Sequence, residues 1–328
     1  MRIALDAMGT DQAPAGEVAG AVAAAKADPE LHVVLVGDES VVRKELGSYG
    51  DMPRVSVVHA PDRITSDDSP ASALRKKPKS SIAVGLGLHK DREADAFVSA
   101  GSTGAVMAAS LFTLRPLPGV ARPTVATVIP TAKGPTLMLD AGANIECKAN
   151  HLFQFAQLGT IYMQDLSGVE TPRVGLLNVG AEPTKGTEMV QEAHRLLAES
   201  HLNFVGNVEG RDIVESVCDV LVCDGFPGNI LLKFYESVAG FLVDNLRERL
   251  NRHGLGSSEI DDVFRVLDHQ EYGGAPLLGV NGVTIICHGE SSARAIQNAL
   301  GVAARAVRTG IVEHMARELD SGPTDEAQ

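Results

Sequence analysis

Residues Phe97–Met107 read FVSAGSTGAVM. An apolar run, Ala96–Val98, leads into Ala-Gly-Ser-Thr-Gly, and a helix-like pattern over Thr103–Leu114 follows. Residues this small at a strand-to-helix junction meet one of two needs. Either two backbones pass at close range, or something small and charged reaches the main chain. The N–H groups that open a helix lack intrahelical acceptors, and the helix dipole favours negative charge beside them. A phosphate-sized anion suits that position, cradled by Gly101, Ser102, Thr103 and Gly104. The spacing differs from the dinucleotide fingerprint G-x-G-x-x-G.

The same strand–turn–helix unit recurs outward in both directions. Ile3–Leu5, Leu31–Val36, Val55–Val58, Val125–Ile129, Thr136–Leu139, Val174–Leu177, Phe204–Val205, Val220–Cys223 and Val283–Cys287 read as strands. Most are continuous apolar runs, as in a parallel sheet covered on both faces. Gln12–Ala27, Ser80–Lys90, Asn150–Leu166, Thr187–Glu199 and Asn229–Arg252 carry apolar residues at helical spacing. The alternation predicts a doubly wound α/β protein with a mostly parallel sheet. No linker composition divides it, so a single large domain is expected over residues 1–319. Asn229–Asp268 interrupts the alternation and reads as two helices joined at HGLGSS, so residues 229–274 are expected to protrude. Residues 320–328 read as a disordered tail.

Composition narrows the class. The chain has 328 residues, 44% of them hydrophobic, and 29 basic against 42 acidic side chains give a net charge of −13. That balance, with no tryptophan and four tyrosines, argues against nucleic acid as a partner. The four cysteines form no Cys-x-x-Cys pair, so neither a zinc site nor a disulfide framework is expected. No signal segment or membrane-length apolar run is visible, and a cytoplasmic location is expected. The segment LRKKPKS concentrates Arg75, Lys76, Lys77 and Lys79. It is either a solvated loop or a surface for an acidic partner.

In open α/β sheets, ligands gather beyond the carboxyl ends of the strands. Those ends carry Asp6, LDAGAN with Asp140 and Asn144, NVGAEPTKGTE with Asn178 and Lys185, CDGFPGN with Asp224 and Asn229, and CHGESS with His288. Turn chemistry alone explains any one of them; with SAGSTGA after Ala96–Val98 they are six, and six together point to a functional rim. GAEPTKGT is not a Walker A loop, because Lys precedes Gly where the reverse order is needed. Lys185 can act as a mobile point charge toward phosphate. Asn144, Asn178 and Asn229 can donate to an oxygen without adding charge. Two like charges 4 Å apart repel by about 4 kcal/mol at an effective dielectric near 20. Asp6, Asp140 and Asp224 should therefore orient Lys185 or backbone donors from behind, or else gather a divalent metal.

DAMG, SPASALRKKPKSS, SAGSTGA, LDAGAN, LLNVGAEPTKG, GNVEGRDI, CDGFPGNILLK and YGGAPLLGVNG, taken in order, resemble the bacterial acyl-ACP:phosphate acyltransferase family from about Met1 to Arg317. Members often carry Asn at the position of Ser102, Gly at Thr10 and an acidic residue at Ala181. The resemblance implies a three-layer α/β/α fold, related to isocitrate/isopropylmalate dehydrogenases and phosphotransacetylases, with a protruding helical hairpin. It implies a homodimer in which inorganic phosphate attacks a long-chain acyl-ACP thioester, without cofactor or metal, to supply phospholipid synthesis. It also implies peripheral contact with the inner membrane face and with the next acyltransferase of the pathway. Leu246, Leu250, Leu255 and Val263 are candidates for an apolar edge there.

In that setting Gly101–Gly104 would cradle phosphate, Lys185 would offset its charge, and Asn178 or Asn144 would donate to the carbonyl oxygen. His288 would protonate the departing sulfur or satisfy a turn. Acyl carrier protein would dock on Arg75–Lys79 or on Arg247, Arg249 and Arg252. A short-chain acyl-CoA phosphotransacylase, a metal-dependent dehydrogenase and a non-catalytic membrane scaffold that recruits the carrier are the competing readings.

Overall fold

Continuous apolar runs flanked by Gly, Asp and Asn become short buried strands. The computed structural model describes residues 1–65, 68–252 and 269–320. In chain order these contain β1 (Arg2–Asp6), α1 (Ala15–Ala27), β2 (His32–Gly37), α2 (Glu39–Gly47), β3 (Val55–His59), α3 (Pro70–Lys76), α4 (Ser81–Lys90), β4 (Ala96–Ser99) and α5 (Thr103–Thr113). The antiparallel pair β5 (Thr124–Thr131) and β6 (Gly134–Leu139) follows, then α6 (Ala149–Ser167), β7 (Val174–Leu177), α7 (Glu188–Ala198), β8 (Phe204–Val208), β9 (Val220–Val222) and α8 (Gly225–Arg252). The chain continues with β10 (Ala275–Leu278), β11 (Val283–Ile286), α9 (Ala293–Thr309) and α10 (Ile311–Asp320).

Contacts group the chain into two compact units. The first comprises Met1–Pro123, Asp165–Gly168 and Gly273 onward; the second comprises Thr124–Gln164 and Val169–Tyr272. The chain passes between them several times, so no single linker exists for composition to reveal.

In unit 1 the strand order is β3-β2-β1-β4-β11-β10, parallel except for β10 against β11. Ile3, Ala4, Leu5, Phe97 and Val98 are fully buried, as strands covered on both faces require. Helices flank this sheet in two groups, α1 with α9 and α4 with α5. In unit 2 the order is β5-β6-β9-β7-β8, parallel except for the β5–β6 hairpin. The fold class is thus α/β, with a mostly parallel sheet and flanking helices in each unit.

The structure adds one strand absent from the sequence reading and moves one helix start. YGGAPLLGVNG is turn-rich in sequence, yet Ala275–Leu278 forms β10, a four-residue strand fenced by glycines. GFPGN is the first turn of α8, not a turn before it, so that helix starts four residues earlier than Asn229. Pro227 is tolerated there because first-turn N–H groups have no intrahelical acceptor. The second helix of the expected hairpin, with Leu255 and Val263, lies outside the described residues, as does the tail beyond Asp320.

Candidate active site

The opening stretch sits at the carboxyl end of β4, and both needs identified in the sequence are visible there. A Cβ on Gly9 would stand 2.8 Å from Ala100 C and Gly101 N, so the loop after β1 lies directly on the backbone of the loop after β4. Asp6, fully buried at the end of β1, accepts from Ser99 Oγ at 2.7 Å and from the Met8 N–H at 3.0 Å. Ser99 Oγ in turn accepts from the Gly101 N–H at 3.0 Å. A chain of three groups thereby fixes the first residue of the turn from the neighbouring strand. Burial pushes the Asp6 carboxyl up, against the lowering pull of Ser81, Ser99, the Met8 N–H and the charge of Arg63.

Ser102 is the N-cap of α5, with extended-type ψ of 118°, but its side chain accepts no capping hydrogen bond. By contrast Asp38, Ser80, Thr187 and Ser292 cap α2, α4, α7 and α9 through their side chains. The first-turn donors of α5 are thus left without a side-chain acceptor. Gly104 faces Pro70, whose Cγ would lie 3.0 Å from an added Cβ, and Thr103 is exposed.

Arg63, Thr10 and Glu17 belong to the same neighbourhood and carry no motif that sequence reading could have used. Arg63 Nη2 donates to the Thr10 carbonyl at 2.8 Å, while its buried Nε has no hydrogen-bond acceptor among the described residues. The Thr10 N–H donates to Glu17 Oε1 at 2.7 Å. Glu17 is fully buried, and burial raises its carboxyl against that hydrogen bond.

In unit 2 the strand-end residues form two separate groups. Asp140, at the end of β6, accepts from the N–H groups of Gly142 at 3.2 Å, Ala143 at 2.9 Å and Asn144 at 2.7 Å. Asn144 Nδ2 donates to the same carboxyl at 2.8 Å, and the Asn144 carbonyl accepts from the Gly225 N–H. Burial raises the Asp140 carboxyl despite these donors. The start of α8 lies against this turn so closely that a Cβ on Gly228 would fall within van der Waals contact of the Asp140 carbonyl. Exposed Asn229 covers Gly142. Asp224 accepts from the Phe226 N–H at 3.0 Å, and burial raises its carboxyl too.

The second group is the loop after β7. Asn178 accepts the Val179 N–H and donates through Nδ2 to the Lys185 carbonyl at 3.1 Å, closing the loop on itself. Lys185 is exposed, and its ammonium makes no ion pair among the described residues. Elsewhere in unit 1, exposed His288 follows β11, its carbonyl accepting from the Ser291 N–H.

The basic segments separate as well. Arg75, Lys76 and Lys79 are exposed, but Lys77 turns inward to Asp68 at 2.6 Å and the Arg63 carbonyl at 2.9 Å. Arg247 and Arg249 are exposed on α8, and Arg252 is paired with Glu248. Thiol chemistry finds no support: burial pushes Cys218 and Cys287 up to about 12 and Cys223 up as well.

A family model described as fatty acid synthesis protein matches residues 1–314. The phosphate acyltransferase of Desulforamulus reducens is 47% identical over 332 residues, covering 98% of this chain and 98% of that protein. The phosphate acyltransferase of Heliobacterium modesticaldum is 48% identical over 321 residues, covering 95% and 96%. Among solved structures, the EutD phosphotransacetylase from Staphylococcus aureus is similar with a TM-score of 0.63 at 17% identity, with 94% of each chain covered. A branched-chain phosphotransacylase from Enterococcus faecalis V583 gives 0.59 at 15% identity, covering 94% of this chain and 99% of that one. At such low identity these two speak for the fold. The near-full-length relatives and the family match speak for kinship and for acyl transfer involving phosphate: this chain belongs to the phosphate acyltransferase family.

Proposed function

We propose that the protein moves a long-chain acyl group from the thioester of acyl carrier protein to inorganic phosphate, supplying acyl phosphate for phospholipid synthesis. The observation that carries this reading is the uncapped first turn of α5, where Ser102–Gly104 offers main-chain donors, while Arg63, with its buried Nε unpartnered among the described residues, acts on Asp6 behind that turn. Such donors suit an oxyanion, and their fixed geometry costs no reorganisation during reaction.

A phosphate oxygen attacks the thioester carbon, forming a C–O bond and a tetrahedral oxyanion. Collapse breaks the C–S bond; the thiolate leaves with free carrier and takes a proton. Phosphate is nucleophilic at neutral pH, so holding it in line with the carbonyl is the main requirement. Lys185 is the proposed counter-charge for the anion. Asn178 is the proposed donor to the carbonyl oxygen, and Asn144 the alternative, with its amide engaged by Asp140.

For the acidic carrier, the exposed cations Arg75, Lys76 and Lys79 form one candidate dock, and Arg247 with Arg249 the other. Charge reversal at each, read as carrier affinity at two salt concentrations, separates them. Along α8, Phe226, Ile230, Phe234, Val238, Phe241 and Leu246 are exposed at near four-residue intervals. We assign this face to homodimer contact and, at its far end, to peripheral contact with the inner membrane surface and the next acyltransferase. No described helix is long and apolar enough to cross a membrane.

The deciding experiment incubates purified protein with palmitoyl-ACP and phosphate and detects palmitoyl phosphate. Turnover of acetyl-CoA with palmitoyl-ACP inert would transfer the assignment to short-chain phosphotransacylation. Carrier binding without turnover would make the chain a scaffold.

A further inference from the structure

At the opposite, amino ends of β4 and β11, unit 1 opens into a cleft of about 580 Å³. That volume is in the range of small-molecule sites. Lys90 and Arg92 from the end of α4 and Arg115 from the end of α5 line it, and none of them makes an ion pair among the described residues. In a chain of net charge −13, three cations against the two carboxylates Asp95 and Glu313 give this one cavity a local excess of positive charge.

Two of these cations are held in an unusual backbone state. Arg92 has φ of 60° and Arg115 φ of 66°, the left-handed region that bulky L-residues rarely enter and glycine enters freely. A helix C-terminus is the obvious competing use for such cations, since α4 ends at Lys90. The last carbonyls of α4 are already served by the chain itself, however. Gly87, Leu88 and His89 accept from the N–H groups of Asp91, Glu93 and Arg92 respectively. The side chains of Lys90 and Arg92 are not needed as caps.

The wall of the cleft is preformed. The His89 ring bridges the Ala94 carbonyl and the Val283 N–H, each at 3.0 Å, which fixes Nδ1 as donor and Nε2 as acceptor. Burial lowers its pKa, in keeping with a neutral ring. A Cβ on Gly282 would overlap His89 Nε2, so the two segments interlock. The Arg115 carbonyl accepts from the Asn281 N–H at 2.9 Å, tying the second arginine to the same wall. Asp95 and Glu313 complete the polar lining, and Asp95 also accepts from the Arg2 N–H.

We propose that this cleft is a second ligand site, separate from the strand carboxyl ends, for a small phosphate monoester bearing hydroxyl groups. The three cations meet the dianion, while Asp95, Glu313 and Asn281 meet the hydroxyls. No Phe, Tyr or Trp side chain is among the lining residues, and the His89 ring is held by its edge through its two hydrogen bonds to the wall, which disfavours a nucleobase.

The test titrates the full chain with fructose 6-phosphate and, in a separate arm, with inorganic phosphate alone, which reports any site for the free ion. The comparison proteins are R92G, R115G and the double variant, because glycine accepts the positive φ without strain. The expected result is saturable one-to-one binding by the wild type, weakened about tenfold or more by each substitution, with Tm unchanged or raised. Absence of saturable binding, or equal binding by the double variant, would overturn the proposal. So would a fall in Tm, which would show that the arginines serve the fold. Citrate binding as tightly as the sugar phosphate would overturn the assignment to a phosphate monoester.

Discussion

The turns after β4 and after β6 look alike in sequence, since each follows an apolar strand with small residues and carries a nearby aspartate. In the structure they do opposite things with their donors. Asp140 reaches into its own turn and takes the N–H groups of Gly142, Ala143 and Asn144, so nothing is left there for an anion. Asp6 sits one strand away and acts through Ser99 on Gly101 alone, which steadies the turn and leaves the start of α5 uncapped. A carboxylate inside the turn closes it. One behind the turn keeps it open.

The closed turn offers the largest test. Asp140→Ala strips acceptors from the backbone N–H groups of Val125, Gly142, Ala143 and Asn144 and from the Asn144 amide, all but the exposed Gly142 being buried or partly buried. At roughly 1 kcal/mol or more for each orphaned donor, a loss of about 4 kcal/mol is expected. Denaturant melts of the variant would measure it; a loss under about 1 kcal/mol would break the distinction between the turns.

A closed turn at Asp140 leaves Lys185 as the cation of unit 2 assigned to the anion. Lys185→Met is expected to lower acyl phosphate formation by about 10- to 100-fold, as loss of one charge-assisted hydrogen bond implies. Its denaturation midpoint should stay put, because the side chain is exposed and makes no ion pair among the described residues. Unchanged turnover would remove Lys185 from the mechanism.

The open turn has its own signature in pH. Burial raises Asp6 above its ordinary 3.8. The folded state therefore holds a proton there that the unfolded state has already lost. Its stabilising contribution is complete below that ordinary value and disappears as pH rises through the folded pKa. Asp6→Asn removes the titration, so the stability of the variant relative to wild type should climb with pH from about 4 upward. Urea melts across pH 4 to 8 check the sign; a falling difference would mean that Ser99 and the Met8 N–H outweigh burial.

Much of this architecture was legible because it depends on local pattern. The apolar runs at β1, β2, β4 and β7 are continuous, and their ends are marked by Gly, Asp and Asn. Ala275–Leu278 escaped because Pro276 interrupts its short apolar run and Gly274 and Gly279 fence it as turn residues would, and its partner β11 is what makes it a strand. Arg63 escaped for another reason. It lies in an irregular loop and acquires meaning only through its bond to the Thr10 carbonyl, 53 residues away in the chain. Positions at strand ends are written in the sequence, but which donors remain unspent is decided by tertiary neighbours.

The smallest expected effect separates two serines that the sequence cannot tell apart. Ser80 and Ser102 each precede a helix, yet Ser80 Oγ accepts from the Ala83 N–H whereas Ser102 makes no capping bond. Ser80→Ala should cost about 1 kcal/mol, the usual worth of an N-cap. Ser102→Ala should cost only a few tenths, since no cap is lost. If the main chain of that turn holds phosphate, KM for phosphate should also change by less than about threefold in Ser102→Ala, because the donors belong to the backbone. A large rise in that KM would move recognition from the peptide groups to the serine hydroxyl, and the open turn would then owe its chemistry to a side chain.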